Sequence, residues 1–320
     1  MRNNNIDILK IVLAFLVIAL HIFPVTKLKG IEGLLSYEIA SGITRIAVPT
    51  FFLISGYFLR NKLNDTVYLW KYAKRILLLY VVWQVLYLPD LIHSYKLGWF
   101  KHTAMILKLV YGYWHLWYLL ATVLAVGLLY AVRNCTLQAK WIIIVVLLTV
   151  GYALQIAIQS GALHRYLNVE FVYELAGTSR NFLFFSFPML LIGTLYESWK
   201  LPVSKLKSFY LPLWIVLLVE VGLYYTFKVK AMDFLIVLPL LSMLTFHIAN
   251  EAKAVANITI SSTLSLGIYL THPYAIRLVS EFLPQKTFSI VVVKYFLVCF
   301  TAVFFWWLLD KVNKKIPYFF

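Results

Sequence analysis

Lys10 and His21 are the two residues whose types and spacing most suggest chemistry, because both lie in one apolar segment, Ile6–Phe23. On a helix, an offset of eleven residues brings them within about 20° around the axis and about 16 Å apart along it. Ionisable groups inside a membrane span are costly and usually functional. Imidazole suits general-base work on a hydroxyl, so His21 is the candidate base, unless it only joins two helices. Asp7, one turn before Lys10, is placed to pair with it.

Arg45 is the third catalytic candidate. It precedes a second apolar segment, which continues through Ser55 and Gly56. We expect Arg45 at the outer end of that span, at the level of His21. An arginine there either snorkels to the membrane interface or stabilises an oxyanion beside the base.

Aromatic and polar side chains recur at the ends of later spans, as in the segment from Tyr113 to Tyr118. Ring faces with polar tips form either an interfacial belt or a sugar-binding wall. Pro273 interrupts the ninth predicted span and frees a backbone carbonyl beside a midspan histidine. The predicted substrate-binding residues are His115, Trp117, Tyr118, Arg180, Asn181 and His272.

A basic segment, Arg60–Arg75, carries five cations against Asp65 alone. It either fixes topology and contacts anionic lipid, or receives an anionic cytosolic donor such as a nucleotide-like cofactor. Under the second interpretation, the residues that bind the donor are Lys10, Arg60, Lys74 and Arg75. Two cysteines form no metal-ligand spacing, so no metal site is predicted.

The composition is that of a membrane protein, with 62% hydrophobic and 13% charged residues and a mean hydropathy of +0.83. Continuous apolar runs predict an all-α, polytopic transmembrane bundle of about ten helices. The predicted spans are 6–24, 43–59, 73–92, 112–132, 140–159, 181–198, 209–227, 232–250, 262–283 and 288–309.

The formal net charge of +16 fits the positive-inside rule with both termini cytoplasmic, and does not require a nucleic-acid partner. The connections between spans are short, so residues 1–320 are predicted to form a single integral membrane domain. Its chemistry must then take place within or beside the bilayer.

Five motifs in order resemble acyltransferase family 3, the polytopic bacterial O-acyltransferases. They cover nearly the whole chain, although Lys10 stands where the family often has arginine, and the Arg60–Arg75 segment lacks the arginine pair of larger members. The motifs are Asp7 and Lys10 with His21 (R/K-x10-H), Arg45–Tyr57 (R-x-x-x-P-x-F-F-x-x-S-G-Y), His115–Tyr118 (H-L-W-F/Y), Arg180–Phe185 (R-N-x-x-F-F) and Ser265–Pro273 (S-x-G-I-Y-L-x-H-P).

The resemblance implies an acyl-CoA donor, most often acetyl-CoA, with no permanently bound cofactor. The acceptor would be a hydroxyl of a cell-surface saccharide or its lipid-linked precursor, and the location the bacterial cytoplasmic membrane. The expected partners are the lipid bilayer, acyl-CoA and the acceptor, with a homodimer left open. Direct transfer and an acyl-His21 intermediate are both compatible with these residues.

Two other functions stay open. The chain resembles the short, standalone branch of the family. This branch includes surface-polysaccharide acetyl- and succinyltransferases and the membrane part of vancomycin-resistance serine racemases. The first alternative is therefore a carrier for a serine-like amino acid or a lipid-linked saccharide. The second is an accessory subunit whose polar residues only join helices.

Overall fold

The computed structural model describes residues 3–98, 101–160, 181–229, 232–253, 260–284, 287–315 and 318–320, and every regular element within them is helical. The all-α prediction is confirmed. In chain order the helices are α1 (Asn4–Ile22), α2 (Gly30–Ser41), α3 (Ala47–Leu59), α4 (Thr66–Lys96), α5 (His102–Tyr111), α6 (Trp117–Ala131), α7 (Leu137–Gln159), α8 (Phe187–Thr194), α9 (Tyr196–Ser204), α10 (Tyr210–Thr226), α11 (Leu238–Glu251), α12 (Leu264–Phe282) and α13 (Phe288–Asn313).

Among the described residues, six helical segments are long and apolar enough to cross a membrane, or seven if α8 with its preceding turn and α9 form one bent span. This supports a membrane protein with several spans. The count of about ten and the cytoplasmic termini stay predictions.

The chain forms two compact units. Unit 1 comprises Met1–Leu53, Tyr196–Tyr318 and Phe320, and unit 2 comprises Ile54–Leu195 and Phe319. Unit 1 therefore contains α1, α2, the start of α3 and α9 to α13. Unit 2 contains the rest of α3 and α4 to α8. The assignment of residues 1–320 to a single domain stays a prediction.

In unit 1, α12 and α13 pack closely because Gly267 has no side chain. A Cβ on Gly267 would lie 2.0 Å from Cδ1 of Trp306. Thr271 also joins the two helices, since its single hydroxyl proton is shared between the carbonyl oxygens of Gly267 at 2.8 Å and Ala302 at 3.1 Å. These contacts fix the register of α12 against α13.

The start of α1 is held by asparagines. The Asn3 side chain accepts a hydrogen bond from the Asn5 N–H at 3.0 Å, which caps the helix. Asn5 in turn donates to the carbonyl oxygen of Ala252 at 2.8 Å, just after α11. The start of the helix that carries Lys10 and His21 is thus held against the residue that follows α11.

Two helices lie where connections were expected. Gly30, with φ of 59°, begins α2 between the first two predicted spans, and Gly112, with φ of 103°, ends α5 between the third and fourth. Both helices are short, and charged residues lower their hydropathy. For that reason the apolar pattern did not reveal them.

In unit 2, helix α3 approaches α8 so closely that a Cβ on Gly56 would lie 2.0 Å from the carbonyl oxygen of Leu190. Small residues allow this kind of backbone approach in membrane proteins. At the start of α4, the Asp65 carboxylate accepts from the Tyr68 N–H at 2.9 Å and caps the helix.

Candidate active site

His21 and His272 meet in unit 1. Their rings stack with centroids 5.3 Å apart and an angle of 25° between the planes. His272 is completely buried in the middle of α12, whereas His21, in the last turn of α1, is partly exposed. The pair therefore consists of one accessible imidazole and one buried imidazole behind it.

Pro273 determines how the His272 ring is held. A proline inside a helix cannot donate to the carbonyl four residues earlier, which here belongs to Tyr269. His272 Nδ1 lies 2.6 Å from that oxygen. Because a carbonyl only accepts, Nδ1 carries the proton, and Nε2 of the neutral ring is an acceptor. The predicted free carbonyl is thus used by the neighbouring histidine.

Lys10 forms the expected ion pair with Asp7 one turn earlier, with Nζ 2.5 Å from Oδ1. The Asp7 side chain is nearly buried and that of Lys10 is 22% exposed. The pair makes the N-terminal half of α1 close to neutral. Lys10 and His21 share a face of the helix, but about 16 Å separates them along the axis.

Arg45 lies in a 3₁₀ turn, Ile43–Ile46, and forms an ion pair with Asp233, which lies shortly before α11. Both side chains are about nine-tenths buried. A guanidinium has five N–H donors in a plane, so one carboxylate does not exhaust its capacity. Arg45 is therefore held in place by Asp233 and is charge-balanced by it.

Glu38 is a half-buried carboxylate that is not among the residues predicted from the sequence. It lies in α2, and its Oε2 is buried with no hydrogen-bond partner among the described residues. Glu38 precedes Arg45 by seven residues, in the segment between the first two predicted spans, where a connection is expected.

The aromatic motif lies in unit 2, where His115 is buried and its ring meets Tyr87 edge-on, with centroids 5.7 Å apart. Trp117 and Tyr118 form the first turn of α6. Ser55 is within hydrogen-bond reach of Tyr118. Ser55 of one predicted motif and Tyr118 of another are thus neighbours within unit 2.

Asn181 has a local structural use. Its side chain accepts hydrogen bonds at 2.9 Å from the N–H groups of Leu183 and Phe184, and so caps the π-helical turn Phe182–Ser186. The role predicted for Arg180 lies outside the described residues. Substrate binding by either residue stays a prediction.

The predicted donor-binding cations after α3 belong to unit 2. The Arg60 guanidinium lies 3.8 Å from the ring centroid of Tyr57 and donates to the Tyr57 carbonyl oxygen at 2.7 Å. Lys74 and Arg75 are exposed on α4. Arg60 is thus held locally, while Lys74 and Arg75 are accessible to an anion. No metal-binding cluster of His, Cys, Asp or Glu occurs in the described part of the chain.

Comparison with known proteins agrees with the motifs. A family model described as an acyltransferase domain matches residues 3–311. The chain belongs to acyltransferase family 3. Its apolar helices agree with the membrane character of this family.

Among curated proteins, the chain is 27% identical over 302 residues to a serine/alanine racemase of Enterococcus gallinarum, covering 89% of this chain and 42% of that protein. It is 26% identical over 302 residues to an amino-acid racemase of Enterococcus faecalis, covering 88% and 43%. The chain thus spans less than half the length of these relatives. No solved structure matches it.

Proposed function

We propose that the protein is a membrane O-acyltransferase that moves an acyl group, most often acetyl, from acyl-CoA to a hydroxyl of a cell-surface saccharide or its lipid-linked precursor. The observation that carries this is the stacked pair of His21 and His272, in a chain of acyltransferase family 3. In this proposal the protein lies in the bacterial cytoplasmic membrane, with acyl-CoA at its cytoplasmic side.

His21 acts as the general base. Its imidazole accepts the proton of the acceptor hydroxyl while the hydroxyl oxygen attacks the thioester carbonyl carbon. The tetrahedral intermediate then collapses with cleavage of the carbon–sulfur bond, and the CoA thiolate takes the proton back from His21. His21 is favoured over His272 as the base because its ring is partly exposed and the other ring is buried.

His272 is a positioning residue. Its Nδ1–H is committed to the Tyr269 carbonyl, and its ring face supports the ring of His21. Fixing the base in one orientation removes part of the entropic cost of reaching the transition state. Because His272 is buried and neutral, the positive charge that results from proton transfer forms on His21 alone.

Arg45 and Lys10 have different roles in this proposal. The Arg45 guanidinium, held by Asp233, places its positive charge where it stabilises the oxyanion of the tetrahedral intermediate. Lys10, paired with Asp7 about 16 Å from His21, acts at the donor side, where an extended pantetheine arm spans a comparable length. Arg60, Lys74 and Arg75 are proposed to contribute to binding the CoA phosphates, and His115, Trp117, Tyr118, Arg180 and Asn181 to bind the acceptor.

The first test is thiol release from acetyl-CoA by the purified full-length protein, with succinyl-CoA and lipid-linked saccharide as further substrates. We expect slow release from the wild type, and a loss of 10²-fold or more in His21→Ala, on the order of the effect of a general base. His93→Ala, which alters an exposed histidine of α4, is the matched control and should release thiol at the wild-type rate. Equal rates in the wild type and His21→Ala would refute the assignment.

A second candidate is a carrier for a serine-like amino acid or a lipid-linked saccharide. The observation in its favour is that the two relatives described above are named racemases, one of serine and alanine, which suggests an amino acid as the solute. Reconstituted vesicles distinguish the two functions. Uptake of radiolabelled serine without acyl-CoA, together with no thiol release, would favour the carrier. Thiol release that depends on His21, with no uptake, would favour acyl transfer.

A further inference from the structure

His247 is a buried histidine of unit 1 that lies apart from the pair of His21 and His272. It is near the end of α11, and only 4% of its surface is exposed. Its Nε2 atom is buried and has no hydrogen-bond partner among the described residues. A buried polar atom without a partner is costly, and native proteins seldom leave one unused. The atom therefore indicates a bound ligand or an ordered water.

The other ring nitrogen of His247 is held by Tyr196, the first residue of α9. Its Nδ1 lies 3.1 Å from the Tyr196 hydroxyl, which donates to Oε1 of Glu251 at 2.9 Å. Asn250 Nδ2 donates to the same hydroxyl at 3.0 Å. Because the phenol has one proton and gives it to Glu251, His247 Nδ1 carries a proton and donates it to Tyr196. Nε2 of the neutral ring is then an acceptor, and its partner must bring an O–H or an N–H.

Aromatic rings flank this imidazole. The ring centroids of Tyr196 and Trp199 lie 6.0 and 6.5 Å from that of His247. Since Nδ1 is bound to a fixed partner, Nε2 has a fixed direction. Because so little of His247 is exposed, only a narrow group, such as water or a flexible chain, can reach Nε2 without separating the helices.

His247 lies at the end of unit 1 where α1 begins. Asn3, the cap of α1, donates to the carbonyl and side-chain oxygens of Asn250, both at 3.3 Å. Lys10, the residue proposed to act at the donor side, is seven residues beyond Asn3, about 10 Å along the helix. Glu251, at the far end of the hydrogen-bonded network, is exposed. The network thus connects the surface of this end with the buried Nε2 atom.

Exposed lysines lie at the same end. Lys253 follows Glu251 by two residues, and Lys207 begins the turn that leads into α10. The start of α10 is held beside His247, because the Tyr210 hydroxyl lies 3.0 Å from that of Thr245 in α11. Exposed cations raise the local concentration of anionic ligands. This end therefore suits a ligand with an anionic head and a narrow polar chain.

We infer that His247 Nε2 binds the pantetheine arm of acyl-CoA, by accepting a hydrogen bond from an amide N–H or from the hydroxyl of the arm. The inference rests on the proposed function, which makes acyl-CoA the donor. The arm is a flexible chain whose amide groups are separated by apolar carbons, as the aromatic surroundings of His247 require. Tyr196 and Glu251 are positioning residues for the imidazole. Proton transfer stays with His21.

The test measures binding of the donor and its parts without turnover. The purified protein is titrated in a calorimeter with CoA, with pantetheine and with adenosine bisphosphate, the nucleotide part of CoA that lacks the arm. His247→Asn keeps an N–H toward Tyr196 and removes the acceptor at the place of Nε2. His247→Gln carries its amide oxygen near that place. Thr245→Val is the matched control, since it removes a hydrogen bond of the same helix, to Tyr210.

We expect His247→Asn to bind CoA and pantetheine about three- to tenfold more weakly than the wild type, as the loss of one hydrogen bond implies. Its affinity for adenosine bisphosphate should not change. His247→Gln should bind CoA more tightly than His247→Asn does, and Thr245→Val should bind all three ligands as the wild type does.

Equal affinities of the wild type and His247→Asn for CoA would overturn the site and leave only an ordered water at Nε2. An absence of CoA binding by the wild type, or an equal loss of affinity for adenosine bisphosphate, would also overturn it. Melting temperatures without ligand show whether each variant folds. If His247→Asn does not fold, Tyr196→Phe replaces it, because this variant keeps the imidazole but frees it to turn. Tyr196→Phe should then bind CoA more weakly and adenosine bisphosphate unchanged, and unchanged CoA binding would overturn the site.

Thiol release separates this site from the proposed function. Release from acetyl-CoA that depends on His21, with an unchanged affinity of His247→Asn for CoA, would overturn the site alone. CoA binding that depends on His247, without thiol release in the presence of the saccharide acceptor, would overturn the proposed acyl transfer alone.

Discussion

His272 Nδ1 lies 2.6 Å from the carbonyl oxygen of Tyr269, the acceptor that Pro273 leaves without its helical donor. A defect in the helix backbone is thus used to orient a side chain. The oriented imidazole then supports His21 through ring stacking. The proline in α12 therefore influences the orientation of His21 in α1 through two contacts, the hydrogen bond of His272 to Tyr269 and the stacking of His272 on His21.

Replacing Pro273 with alanine tests this chain of contacts. The new N–H would donate to Tyr269 and compete with His272, while removal of a proline from a helix interior favours the helix by up to about 3 kcal/mol. We expect Pro273→Ala to raise the melting temperature and to lower thiol release from acetyl-CoA about tenfold or more, because His21 is less well held.

Pro89→Ala is the control for this prediction, since Pro89 also lies inside a helix, α4, and is exposed. It should raise stability without changing the rate. If Pro273→Ala and Pro89→Ala have the same activity, the bond between His272 and Tyr269 does not position the base.

The two contacts of His272 can be separated by substitution. His272→Phe keeps a ring against His21 but leaves the buried Tyr269 carbonyl without its donor, which should cost about 1–3 kcal/mol of stability. His272→Asn keeps an N–H donor but removes the ring that supports His21. We expect His272→Asn to be the more stable of the two variants and His272→Phe to have the higher kcat.

The measurement for this pair is thermal unfolding together with kcat and KM for acetyl-CoA. A positioning residue should affect kcat and leave KM nearly unchanged. The reverse result, with a raised KM and an unchanged kcat, would make His272 a substrate-binding residue instead.

The sequence gives most of the helices in this fold because hydropathy reports directly on membrane spans. It also indicates His21 and His272 separately, each as a polar residue in an apolar segment. Their stacking could not be predicted, since 251 positions separate them along the chain and only the packing of α1 against α12 brings them together. The ion pair of Lys10 with Asp7, by contrast, is local and follows from helical spacing.

Glu38 is a candidate that hydropathy does not indicate. It lies in a short helix between the first two predicted spans, where a connection is expected. Only the burial of its Oε2 atom distinguishes this carboxylate from an interfacial one. Asn181 shows the opposite case, because a residue selected for binding also has a plain capping role.

The pair of Asp7 and Lys10 allows a double-mutant cycle. Lys10→Met leaves a nearly buried carboxylate without its partner, so we expect it to destabilise the protein more than Asp7→Asn does, by about 1–2 kcal/mol after allowing for partial exposure. The double variant should cost less than the two single changes together. Additive costs in unfolding experiments would show that the pair contributes no coupling.

The same variant tests the proposed donor-side role of Lys10. If Lys10 contacts acyl-CoA, Lys10→Met should raise KM for acetyl-CoA several-fold more than it lowers kcat. Lys205→Met, in unit 1 after α9, is the control, because Lys205 is exposed and has no role in the proposal. A loss of kcat alone would place Lys10 with the reacting groups instead of the donor.

The close approach of α3 and α8 in unit 2 gives a stability prediction that does not depend on function. A Cβ at Gly56 would lie 2.0 Å from the Leu190 carbonyl oxygen, and backbone atoms cannot move aside as a side chain can. We expect Gly56→Ala to destabilise the protein by about 2 kcal/mol or more through forced separation of the helices. Gly127→Ala, in α6, is the matched control, since a Cβ there meets no atom within 4 Å and should stabilise the helix slightly. If both variants unfold at the wild-type temperature in detergent, the two backbones are farther apart than this packing requires.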